Sequence, residues 1–240
     1  MPQIFKVGGC VRDRLLEVDS KDIDFTFVLD NLDRTVEEGF QLMTDWLNHY
    51  EFTIFLSTPE CFTIRAKFPK DHQYEGLVAD FVLARKEVGY VEGTRRPILE
   101  LGTLEDDLIR RDFTLNAMAE DENGNLIDLF GGQEHLRRGL LKTPLDCKVT
   151  FDDDPLRIIR AIRFCITKGF WMGPYMDGII QDYDYKNKMS VVSIERIREE
   201  LLKCFKHDTL KTLKTLHEYP ALRNYIFESN ILWLKPTFEK

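Results

Sequence analysis

At Phe130-Gly131-Gly132 the hydrophobic pattern of this chain changes period, and that change limits the fold more than any other feature. Before it lie short apolar or alternating runs. Lys6–Val11 leads into a Gly-Gly turn, while Asp22–Leu29, Phe52–Phe55, Cys61–Lys67 and Leu77–Ala84 read as strands. One helix is expected among them, over Glu37–Tyr50. Beyond the change, apolar residues recur at helical spacing, most clearly over Asp153–Lys168 and Ser193–Lys206. The expectation is an α+β chain: a head with a small mixed sheet over 1–135, an all-helical segment over 136–206, and a short helical remainder over 207–240. The stretch Lys86–Leu101 holds Gly89, Gly93 and Pro97 with little periodicity, and reads as a mobile loop.

The 240 residues, 43% of them hydrophobic, are enough to bury a real core. No apolar run reaches the ~18 residues of a membrane span, so no membrane partner is expected. The start, Met1-Pro2-Gln3-Ile4-Phe5-Lys6, has neither the charged nor the apolar region of a signal peptide. Five scattered cysteines form no disulfide framework or zinc spacing, which points to a reducing cytoplasm. A net charge of −8 argues against a protein that coats nucleic acid indiscriminately. None of the five histidines has a ligand spacing, and Trp46, Trp171 and Trp233 read as packing residues. Arg198 falls within the apolar stripe of its helix and reads as a buried, paired structural arginine.

Chemistry enters with Lys21-Asp22-Ile23-Asp24-Phe25. On a strand, residues two apart share a face, so Asp22 and Asp24 stand side by side. Two adjacent carboxylates repel unless a proton or a cation lies between them, and Mg²⁺ prefers such oxygen ligands. Upstream, Gly8-Gly9 lets backbone amides approach a phosphate closely, and Arg12 adds a guanidinium suited to phosphate oxygens. By itself the D-x-D pair could be only the wet face of a strand. Beside a Gly-Gly turn and an arginine, it reads as a metal site next to a phosphate cradle.

The segment GGCVRDRLLEVDSKDIDF resembles the first signature of class II tRNA nucleotidyltransferases (CCA-adding enzymes) and bacterial poly(A) polymerases, with Glu17 where that family usually has glycine. Three further segments are similar in order. They are the Arg110–Met118 stretch RRDFTLNAM, the Asp153–Ala161 stretch DDPLRIIRA, with Asp153 in place of the usual Glu, and Ser193–Ile197. The resemblance implies a nucleotidyltransferase-fold head followed by a helical neck and body. It implies Mg²⁺ on Asp22 and Asp24, with Asp80 as a third carboxylate acting on the primer hydroxyl. Gly8, Gly9, Arg12 and Asn116 would hold triphosphate, Asp112 the ribose, and Asp154, Arg157 and Arg160 the nucleotide. Arg85 and the Gly89–Pro97 loop are similar to a loop that helps to switch nucleotide choice. The implied reaction adds C, A or both to the 3′ end of tRNA or another RNA, from CTP and ATP. A poly(A)-type enzyme, a partial CC- or A-adding enzyme, and an inactive nucleotide- or RNA-binding module are the alternatives. Family members run on through a longer body and tail, so dimerisation or a grip confined to the acceptor end is expected of this chain.

The residues also suggest how a base could be read without a template. Asp154 and Arg157 lie three apart on an expected helix and so share a face. A carboxylate only accepts hydrogen bonds and a guanidinium only donates them. Cytosine and adenine both present an amine donor beside a ring-nitrogen acceptor, whereas uracil and guanine reverse that pattern. One Asp–Arg pair can therefore admit CTP and ATP and disfavour the other two. The rival reading is a surface salt bridge.

Overall fold

A computed structural model describes residues 2–20, 22–90, 97–229 and 231–232, without the side chains of Tyr90 and Pro97. Gly93 and Trp233, read above from the sequence, lie outside these residues. The chain divides into two units, Met1–Arg137 and Arg138–Lys240.

In the first unit the chain runs β1 (Gln3–Val7), α1 (Gly9–Leu15), β2 (Ile23–Val28), α2 (Val36–His49), β3 (Thr53–Thr58), β4 (Thr63–Lys67) and β5 (Val78–Leu83). It continues through β6 (Arg85–Tyr90), β7 (Pro97–Leu101), α3 (Leu104–Ile109), β8 (Ala119–Glu120), β9 (Leu126–Ile127) and α4 (Gly132–Arg137). Seven strands form one mixed sheet in the order β3-β4-β5-β2-β1-β8-β9. Within it β2 and β5 pair in parallel, and the other neighbours are antiparallel.

Alternation along the strands gives the sheet two covered faces. Ile23, Phe27, Ile64, Ala79, Phe81 and Leu83 pack with Met43 and Leu47 of α2 on one side. Phe5, Val7 and Ala119 pack with Leu108 of α3 on the other. Helix α2 starts at a reciprocal cap, where Thr35 accepts from the Glu38 amide and Glu38 accepts from the Thr35 amide. Because Val7 pairs with Asp24 and Phe5 with Thr26, the second face is the one that carries Asp24 and Thr26.

The expected loop at Lys86–Leu101 is instead the antiparallel pair β6–β7, with residues 91–96 outside the description. An irregularity between Glu87 and Gly89 shifts the register, so no single alternation runs through the segment.

The second unit contains β10 (Leu140–Leu141), α5 (Cys147–Asp153), α6 (Leu156–Thr167), β11 (Trp171–Met172), α7 (Pro174–Gln181) and α8 (Tyr185–Lys188). Then come α9 (Ile194–His207), α10 (Thr209–Glu218) and α11 (Pro220–Glu228). Among the described residues this unit is helical apart from one parallel bridge of two-residue strands, β10 with β11. Helix α6 buries Ile158, Ile159, Ile162 and Ile166, the stripe expected from spacing, and packs against α9. Full burial of one such side chain is worth roughly 1.5–3 kcal/mol at most.

The helix expected over Asp153–Lys168 is broken. Asp154 is extended (φ −141°, ψ 94°) and ends α5, and α6 begins after Pro155. Proline disfavours the helical conformation in the residue before it but suits the first turn after it.

Candidate active site

Strand pairing places the head carboxylates. Asp24 on β2 and Asp80 on β5 are direct partners in the parallel register, so their side chains stand together on one face. Asp22 lies just before β2 on the same side of the extended chain, and it is exposed. Asp24 is half-buried. Burial raises its pKa; Arg111 opposes the rise, the Asp80 and Asp22 charges add to it, and Arg65 opposes it. Its carboxylate is thus withdrawn from water and faces two others.

The neighbouring glycine belongs to this cluster. Gly8 has φ +77°, and a Cβ there would lie 2.9 Å from Arg111 Nη1 and 3.6 Å from Asp24 Oδ2. Only glycine meets both the left-handed backbone and the close approach. Gly9 begins α1, and a Cβ there would lie 3.6 Å from Arg12 Nη2.

Arg12, Asn116 and Asp112 come together as a hydrogen-bonded chain. Arg12 Nη1 donates to Asn116 Oδ1 at 2.5 Å, and Asn116 Nδ2 donates to Asp112 Oδ1 at 2.9 Å. Arg12 also donates from Nε and Nη2 to Asp13 Oδ1, at 2.9 and 2.8 Å. All three of Arg12, Asn116 and Asp112 are at most 8% exposed, so Arg12 is a buried member of the wall and not a surface guanidinium.

Sequence reasoning missed three residues here. Asp107 of α3 is fully buried and takes hydrogen bonds from Thr26 Oγ1 (2.8 Å), Arg111 Nη2 (2.9 Å) and Arg110. Burial disfavours its charge, but Arg111 and Arg110 outweigh that and hold its pKa far below the usual carboxylate range. Arg111, fixed by Asp107, faces Asp24, and its Nε is buried with no hydrogen-bond partner. Its signals were the doubled arginine and its place in the RRDFTLNAM stretch. Arg65 of β4 grips Asp80 with two parallel hydrogen bonds, Nε to Oδ1 at 2.6 Å and Nη2 to Oδ2 at 2.7 Å. Arg85 donates to the Cys61 carbonyl, and burial lowers its pKa to about 10, with Arg110 adding to the effect.

Among the described residues, no three His, Cys, Asp or Glu side chains converge as a ready metal cage. Asp22 and Asp24 still fit Mg²⁺. They offer hard oxygens, the Asp24 charge is under-compensated, and Mg²⁺ is usually held by one or two carboxylates with water and substrate phosphates completing its shell.

These features lie within the span of a known family: residues 4–142 match the poly(A) polymerase head domain. The chain belongs to that family. It is 34% identical over 239 residues to the multifunctional CCA protein of Pseudoalteromonas atlantica, an alignment covering 96% of this chain and 53% of the relative. Among solved structures it is similar to the Bacillus stearothermophilus CCA-adding enzyme in complex with CTP (26% identity, TM-score 0.72), over 92% of this chain and 49% of that one. The Thermotoga maritima CCA-adding enzyme complexed with tRNA shares the fold (24% identity, TM-score 0.73), over 98% of this chain and 50% of that one. The chain spans about half the length of the relatives it matches.

The second unit carries the other expected residues of this family member. Asp154 does not ride on a helix with Arg157, as its spacing suggested. It ends α5, its Oδ1 accepts from the Leu156 amide at 3.2 Å, and its carbonyl accepts from the Arg157 amide at 3.0 Å. Asp154 is therefore held at the start of α6, still beside Arg157. Arg157 Nη1 donates to the Thr150 carbonyl at 3.3 Å. Arg160 and Arg163 flank a residue that sequence reasoning passed over, Glu200 of α9. Arg163 Nε lies 2.5 Å from one Glu200 oxygen, with Lys203 at 2.8 Å and Arg160 at 4.0 Å from the other. Arg198 is half-buried and paired as expected, though its partner is the main-chain carbonyl of Ile231 at 2.8 Å. Trp46 packs against the head core, whereas Trp171 is 47% exposed and donates to the Arg138 carbonyl. No helix among the described residues is long and apolar enough to cross a membrane.

Proposed function

We propose that this chain is an RNA nucleotidyltransferase that adds C, A or both to a tRNA 3′ end. The 3′-oxygen bonds to the α-phosphorus of CTP or ATP, the α–β phosphoanhydride bond breaks, and pyrophosphate leaves. One observation carries the reading: in a member of this family, Asp24 and Asp80 stand side by side next to the Gly8 turn.

Asp22 and Asp24 would hold Mg²⁺, which when bound supplies charge neutralisation at the triphosphate and a more acidic attacking hydroxyl. The chain's own groups do the positioning. Gly8 and Gly9 let the triphosphate approach the backbone, and Arg111 presents a fixed positive charge beside Asp24. The Arg12–Asn116–Asp112 chain sets the wall where ribose and phosphate would rest. Asp80 faces the primer hydroxyl and draws its proton away. Asp154, Arg157 and Arg160 meet the base edge. Catalysis of this kind is orientation plus electrostatics. The RNA contact is taken at the acceptor end, with a homodimer as the other means of widening the grip. A cytoplasmic setting suits five cysteines that are all free thiols.

The test is incubation of the purified chain with tRNAs lacking A, CA or CCA and each labelled NTP, followed by product sequencing. Addition of C, A or both with release of pyrophosphate is expected; no incorporation on any of the three would remove the reading. Base choice has its own test. Asp154→Ala and Arg157→Ala should each relax discrimination against UTP and GTP by roughly 10- to 150-fold in relative kcat/KM, the worth of a charged hydrogen bond to the base. Unchanged nucleotide ratios in both would leave the pair a salt-bridging element only.

A further inference from the structure

Asp80 is already occupied. Arg65 lies directly across from it in the antiparallel β4–β5 register, and the guanidinium fork covers both carboxylate oxygens, at 2.6 and 2.7 Å. Asp80 is also the register partner of Asp24, so a single strand position touches the acid pair on one side and the arginine on the other. The charges of Asp22 and Asp24 act on Arg65 as well. Arg65 is therefore a second guanidinium, besides Arg111, whose positive charge these carboxylates face.

From this geometry we infer that Arg65 is a positioning residue whose fork holds Asp80 out of the divalent-metal ligand set and so lowers the affinity of the head for metal. The inference rests on the reading of Asp22 and Asp24 as metal ligands. Its physical basis is competition: a carboxylate gripped by a bidentate fork can join a metal only if the fork lets go or shares its oxygens. Arg65 is 47% exposed along its side chain, so it has solvent to swing into, and its release does not leave a buried charge.

The experiment measures Mn²⁺ binding to the nucleotide-free full chain, by calorimetric titration and by the metal-dependent rise in melting temperature. Arg65→Gln should bind Mn²⁺ roughly tenfold more tightly, the scale of a partly exposed bidentate pair. Arg65→Lys keeps the charge but cannot fork, so it should share most of that gain. The gain should vanish when Arg65→Gln is combined with Asp80→Asn, because Asp80 is the ligand released. Unchanged or weaker binding in Arg65→Gln would overturn the inference. So would a Lys variant that behaves as wild type, which would reduce Arg65 to simple charge repulsion, or a gain that persists without Asp80. Asp24→Asn separates this inference from the reading beneath it. If that variant binds Mn²⁺ as tightly as wild type, the assignment of the acid pair itself has failed.

Discussion

Asp24 in the head and Glu200 in the helical unit are both carboxylates withdrawn from water, but the charges acting on Glu200 are cations, while those acting on Asp24 are of both signs. Asp24 meets two further acids, and burial with those charges raises its pKa against the pull of Arg111 and Arg65. Glu200 is 5% exposed and meets Lys203, Arg163 and Arg160, which outweigh its burial and lower its pKa. A buried acid surrounded by cations is a structural tie between helices, here α6 and α9. A buried acid crowded by other acids is held in a state that a cation would relieve, as expected of a site that carries out chemistry.

Activity should show the contrast most sharply. Asp24→Ala should cut nucleotide incorporation by roughly a thousand-fold or more, the rate equivalent of the several kcal/mol a metal centre supplies. Its circular dichroism should stay that of the wild type. Glu200→Ala should leave the head chemistry in place and act on stability instead. Breaking a buried ion pair costs ~3–5 kcal/mol, and the exposed Lys203 and part-exposed Arg160 place the loss here at ~3 kcal/mol by urea denaturation. Near-normal incorporation by Asp24→Ala, or an unchanged unfolding midpoint for Glu200→Ala, would erase the distinction between the two acids.

The same contrast predicts opposite responses to pH. For Glu200 the folded state favours the charged form. Its contribution to stability is present above the ordinary glutamate value of 4.5 and is lost as pH falls through the lower folded value. For Asp24 the folded state favours the proton. Stability therefore declines as pH rises from the ordinary aspartate value of 3.8 through the raised folded value, and that loss persists at neutral pH. Asp24→Asn should consequently melt higher than wild type at neutral pH without divalent ions, and the gap should narrow when Mg²⁺ is added. A variant that melts lower than wild type under both conditions would show that Asp24 is compensated after all.

The two acids were unequally visible in the sequence, for a physical reason. Asp22 and Asp24 announce themselves through period-two spacing on a strand, and the Gly8 turn through a doubled glycine. Both signals are local. Glu200 sits in the charged run Arg198-Glu199-Glu200, and its burial exists only because α6 docks on α9. Asp107 hides in the same way within Glu105-Asp106-Asp107, where acids at the start of a helix read as ordinary first-turn residues. Arg65 and Asp80 are fifteen residues apart and meet only through strand register. The break before α6 is different. Pro155 was in plain view, and the apolar stripe that follows it masked the boundary.

The smallest effect expected lies between the Gly8 turn and the acid pair, at Glu17. Helix α1 ends with the Val18 amide bonded to the Asp13 carbonyl (2.9 Å) and the Glu17 amide to the Arg14 carbonyl (3.0 Å). This crossed pattern requires the residue just past the helix to be left-handed, and Glu17 has φ 56° there. Glycine suits such a backbone without a Cβ penalty. Glu17→Gly should therefore stabilise the head by about 0.5–1 kcal/mol, less than the full left-handed cost because glycine also loosens the unfolded chain. Glu17→Ala is the control, since alanine keeps the Cβ and should recover little. The side chain is exposed, so neither change should alter metal binding or incorporation. If alanine stabilises as much as glycine, the benefit comes from removing the Glu17 carboxylate, and charge would then outweigh backbone geometry at this turn.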